Sequence, residues 1–79
     1  MMLENAEAKP FYIRYGGGCI VNCIEVGGEG SDVIADLDEA GTVVGIEILD
    51  VNVPQGVALA RGFAEVRGLT FPDSVGPAA

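Results

Sequence analysis

The chain has 79 residues, 49% of them apolar, and its twelve acidic and four basic side chains give a net charge of −8. A chain of that length is one small domain that buries only about 60% of its unfolded surface, and its apolar content excludes a disordered polymer. The charge excludes nucleic acid and anionic membrane as partners, because Lys9, Arg14, Arg61 and Arg67 form no basic footprint in the sequence; basic proteins and divalent cations remain.

The N-terminal "MMLENAEAKP" is acidic where a signal peptide carries a basic region and an apolar core. No apolar run approaches the ~20 residues that a bilayer requires, so a cytoplasmic protein is expected. "FYIRY" (11–15) alternates and is rich in aromatic and β-branched residues, which predicts a strand. "GGG" (16–18) reads as a turn and "CIVNCIEV" (19–26) as a second strand. After "GGEGS" (27–31), "DVIADLD" (32–38) and "VVGIEILD" (43–50) give the third and fourth strands. Links this short exclude parallel crossovers, which take a dozen or more residues. Beyond Asp50 the period changes. Pro54 suits the first position of a helix, where its missing N–H costs nothing, and Leu59, Phe63 and Val66 fall on one stripe. The expected architecture is therefore α+β, a four-stranded antiparallel β-meander followed by a short C-terminal helix. Residues 1–70 would form the single small domain and 71–79 a flexible C-terminal tail.

Five carboxylates and no base stand in "DLDEAGTVVGIEILD" (36–50). The pattern of Asp38 followed three residues later by Gly41 is that of a type I turn, and a three-residue hairpin loop commonly ends in a left-handed glycine. A loop joining Asp38 to Thr42 sets a register: Leu37 faces Val43, Asp36 faces Val44, Ala35 faces Gly45 and Ile34 faces Ile46. One sheet face then carries Ile34, Val44, Ile46 and Ile48, and the other Val33, Ala35, Leu37, Val43 and Leu49. A calcium loop of the EF-hand kind needs acids at alternating positions between helices, which this stretch lacks.

Other chemistry finds little support. On one strand, Cys19 and Cys23 would lie roughly 13 Å apart, too far for a disulfide, which needs less than about 7 Å. Free thiols agree with a reducing compartment. Cys19 follows three glycines and could be exposed, but the chain has no histidine to activate it; only Arg14 could lie nearby, and buried strand cysteines are the plainer expectation. Asp36 and Asp38 would stand about 7 Å apart on one strand face, a spacing that glycosidases use inside a sugar-sized cleft; acids that limit edge pairing are the plainer account. "GGG" and "GGEGS" lack the following helix and lysine of a phosphate loop. Two cysteines without histidine fall short of a zinc site. Phe11, Ile13 and Tyr15 share one face of the first strand, and Tyr12 and Arg14 the other, a pairing that suits packing with a snorkelling tail. No catalytic, cofactor-binding or metal-ligating residue is therefore expected.

"FYIRY", "IEV" and "VIADLDEAGTVVGIEILD" resemble the small bacterial family called domain of unknown function twenty-two eighty-three, whose members run Y-I-R-L, E-V, D-L-D-E-D-G and V-V-G-I-E-I-L in outline. The resemblance covers residues 11–50; Tyr15 stands where leucine is usual and the 27–31 connection is long. It implies a compact β-meander with a C-terminal helix and carries no assigned activity.

The expected role is a non-enzymatic structural or protein-interaction module, with no cofactor, acting as a homodimer. Strands three and four carry apolar residues on both expected faces, one helix covers only one of them, and a second copy would cover the other. A basic protein is a possible further partner. The alternative is a protein that binds a small ligand or divalent cation through its acidic loops.

Overall fold

The computed structural model describes residues 7–75. Four strands, β1 (Phe11–Arg14), β2 (Asn22–Glu25), β3 (Val33–Leu37) and β4 (Val43–Ile48), precede one helix, α1 (Pro54–Val66). They form one antiparallel sheet in the order β1-β4-β3-β2. The α+β class, the four antiparallel strands and the C-terminal helix are as the sequence implied. The meander order holds for β2, β3 and β4. β1 lies beside β4, so residues 15–21 cross the end of the sheet instead of closing a hairpin on β2.

The β3–β4 loop is the expected one. Asp38 N–H donates to the Thr42 carbonyl at 3.0 Å and Gly41 N–H to the Asp38 carbonyl at 2.9 Å. Asp38 Oδ1 also accepts from the Ala40 and Thr42 N–H groups, each at 2.9 Å. Gly41 sits at φ 82°, where a Cβ is disfavoured.

The register beyond the loop is not the expected one. Leu37 does pair with Val43, but Asp36 pairs with Gly45, Ala35 with Ile46, Ile34 with Glu47 and Val33 with Ile48. Val44 is left over as a bulge, and one extra residue moves every later side chain to the other face. The bulge has a partner in the crossover. The Val44 carbonyl accepts from Tyr15 and Gly16 N–H at 2.8 and 3.3 Å, and its side chain, only 3% exposed, lies against Gly16 and Gly18.

The shift sorts the sheet into two unlike faces. Val33, Ala35, Ile46 and Ile48 are buried together with Val26 of the sheet's flank and with Val57, Ala60 and Ala64 of α1. The opposite, open face carries Tyr12 and Arg14 from β1, Glu47 and Gly45 from β4, Ile34 and Asp36 from β3, and Glu25 and Cys23 from β2. Two apolar faces are therefore not present.

The helix starts at Pro54 as expected and ends in the paired bonds Gly68 N–H to the Glu65 carbonyl and Leu69 N–H to the Ala64 carbonyl. Its inward stripe differs from the expected one. Gly56, Val57, Ala60 and Ala64 are buried and Phe63 packs against the core as expected, whereas Leu59 is 39% and Val66 83% exposed. Small residues let the helix lie close on the β-branched core of β3 and β4, while Leu59 flanks it over Gly27.

Residues 71–75 do not form the expected tail. Phe71 packs against the core and Val75 is buried in it. Tyr15 Oη donates to the Thr70 carbonyl at 2.6 Å, and the Arg61 guanidinium lies 4.8 Å from the centre of the Phe71 ring. Residues 76–79 of that expectation lie outside the described residues. Among the described residues no helix is long and apolar enough to cross a membrane.

Candidate protein interface

The open face is organised by one tyrosine. Tyr12 on edge strand β1 reaches over Gly45 and donates its hydroxyl to Asp36 Oδ2 on β3 at 2.9 Å. A Cβ at position 45 would overlap the end of the phenol, so this diagonal needs glycine. Burial raises the Tyr12 pKa, and the Asp36 hydrogen bond raises it further. Burial alone raises that of Tyr15. Beside Tyr12, Arg14 folds back on the crossover, donating from Nε to the Gly16 carbonyl and from Nη2 to the Gly18 carbonyl at 2.6 Å.

The carboxylates are spread out and held locally. Asp36 serves Tyr12, and Asp38 is locked in its turn. Asp50 Oδ1 accepts from Lys9 N–H at 3.2 Å and from Asn52 N–H at 3.0 Å. Glu25 Oε1 accepts from Gly30 N–H. Among the described residues no three of Cys, Asp and Glu converge as metal ligands would. The other two arginines are engaged as well: Arg67 lies 3.7 Å from the centre of the Phe63 ring, and Arg61 on Phe71.

The glycine connection 27–31 does meet a helix start in space, a juxtaposition the linear sequence does not display. It borders a hollow of about 250 Å³ with Gln55 and Gly56. Glu29 and Asp32 line the same hollow and no base does, so it repels a phosphate.

The cysteines are free, as expected, but both are exposed and not buried. Cys19 precedes β2 instead of lying on it, and Cys23 stands opposite Asp36 on the open face.

The two sheet edges are unlike. Ahead of β1 stand Lys9 and Pro10, residues that discourage strand addition. All four residues of β2 are exposed, Ile24 among them at 39%, and Ile20 and Val21 just ahead of it are 46 and 59% exposed. Val26 N–H donates to the Val33 carbonyl, so by alternation the backbone groups of Ile24 face β3 and those of Cys23 and Glu25 face outward. Composition gives no sign of this edge, because β2 becomes one only when β1 pairs elsewhere.

The described residues thus form a small antiparallel sheet backed by one helix, with one polar face. The chain belongs to the family Protein of unknown function (DUF2283), whose model matches residues 7–52. That match spans the whole sheet and stops before α1. No curated protein and no solved structure matches the chain.

Proposed function

We propose that this is a non-enzymatic protein-interaction module of the reducing cytoplasm that acts as a homodimer. The observation that carries the reading is the β2 edge, an exposed strand that carries Ile24 and is preceded by exposed Ile20 and Val21. The polar open face removes the reason for a face-to-face dimer, so the edge takes its place. A bare strand edge beside exposed apolar side chains can recruit a further strand, and a second copy is the commonest partner. Pairing there also extends the core of a chain that buries little by itself. The open face, with Glu25, Glu47 and Asp36, is left free for a basic protein.

Sedimentation equilibrium of the wild type and of Cys23→Pro tests this. The Cys23 N–H points away from β3, so proline is tolerated in the monomer while an outer donor is lost. The expected result is a dimer for the wild type and a folded monomer for the variant. A wild type that stays monomeric at hundreds of micromolar contradicts the reading.

A further inference from the structure

The hydrogen-bonding groups along the outer edge of β2 fit one particular partner. We infer that two copies pair β2 with β2 antiparallel about a twofold axis at Cys23, making a continuous eight-stranded sheet; this rests on the dimer reading above.

The outward groups of β2 are the N–H and carbonyl of Cys23 and the N–H and carbonyl of Glu25. Val21 N–H is already used, donating inward to the Leu37 carbonyl at 2.9 Å. Asn22 N–H also faces β3 by alternation, so the trans peptide aims the Val21 carbonyl outward. The Glu25 carbonyl is already used by Gly28 N–H at 3.2 Å.

With the axis at Cys23, Cys23 faces its own copy and Glu25 faces Val21. Cys23 N–H meets the Cys23 carbonyl of the second copy, and Glu25 N–H meets its Val21 carbonyl. The two groups with no partner across the axis, Val21 N–H and the Glu25 carbonyl, are the two that the monomer has already satisfied. Asn22 Oδ1, which accepts from Cys23 N–H at 2.9 Å in the single chain, yields that donor and returns to water. An axis at Ile24 would ask the Glu25 carbonyl to take a second donor. An axis at Glu25 would set like charges opposite each other.

Side chains agree with the same register. The two Glu25 residues end up four positions apart along the ladder, roughly 13 Å, and each carboxylate is drawn toward Gly30 N–H. That separation exceeds the screening length of about 8 Å at physiological salt. Ile24 faces the helix side, since it pairs with buried Ala35, and meets the Ile24 of the second copy diagonally. The match of donors to acceptors is self-complementary, whereas a foreign strand running past Glu25 would bring a donor to its already occupied carbonyl.

The Cys23 pair makes the register readable. A directly opposed, hydrogen-bonded antiparallel pair has its Cα atoms about 5.5 Å apart, within disulfide range. Diamide oxidises two such thiols to a disulfide, taking up the two electrons and two protons that they lose. Three variants are compared: Cys19→Ser, Cys23→Ser, and Cys19→Ser/Cys23→Ser/Ile24→Cys. Non-reducing gels follow covalent dimer after diamide, and sedimentation of the unoxidised proteins is run alongside. Cys19→Ser, which keeps Cys23, is expected to cross-link about tenfold faster than Cys23→Ser or more, because the axis supplies a high effective concentration. The Ile24→Cys variant should lag behind it. If the protein sediments as a dimer but cross-links fastest through position 24, or equally through Cys19, the register is overturned while the dimer stands. If it sediments as a monomer, the dimer reading and the register fall together.

Discussion

A methyl group at position 45 would overlap the phenol of Tyr12. In Gly45→Ala the ring must swing outward, away from Asp36, at a cost of about 1 kcal/mol for the lost hydrogen bond. The titration of Tyr12 reports the same event: its raised pKa should fall back toward the ordinary 10.0, visible in tyrosinate absorbance. Both tyrosines also set a pH dependence. Their folded-state pKa values lie above the unfolded one, so the folded chain holds those protons longer. Stability is then intact below pH 10 and declines as the pH climbs through the folded values. Tyr12→Phe should make that alkaline loss shallower in pH-dependent melting. Gly41 is another residue whose identity is fixed by geometry. Its φ of 82° costs a β-branched side chain on the order of 1–3 kcal/mol, so Gly41→Val should lower the melting temperature by several degrees. An unchanged melting temperature would contradict the turn.

At the scale of elements, the sequence exposes what is local and hides what is not. The four strands, the Asp38–Gly41 turn and the Pro54 helix start follow from alternation, turn chemistry and proline stereochemistry within a few residues. The Val44 bulge does not, because its cause is the crossover of residues 15–21 packing on Val44 from elsewhere in the chain. Gly45 was a visible clue, since glycine inside a strand marks a bulge or a close approach. The helix repeats the lesson. Leu59, Phe63 and Val66 make the more hydrophobic stripe, yet Gly56, Ala60 and Ala64 face the sheet, because closeness to a β-branched layer favours small residues. Ala60→Leu should therefore cost about 1–3 kcal/mol through overpacking, whereas Val66→Ser should be close to neutral. Equal effects in chemical denaturation would mean that the helix is rotated.

For the whole molecule, charge, size and apolar content constrain a small acidic domain, and the sheet order decides where such a domain can associate. The cysteines, the carboxylates and the glycine loops are all visible in the sequence, but only the fold shows that they stand apart and that β2 is the bare edge. No pattern in residues 19–26 separates a central strand from an edge strand, because the difference lies in where β1 pairs. The central claim, association through β2, is tested most directly by amide hydrogen exchange at Cys23 and Glu25 as a function of protein concentration. Both N–H groups face outward in the single chain, that of Cys23 only on the exposed Asn22 side chain, and both bond across the ladder in the paired one. The account predicts that their protection rises with concentration from micromolar to millimolar while the β1 amides stay unchanged. Free exchange at Glu25 across that whole range, or protection rising at β1 instead, would contradict it.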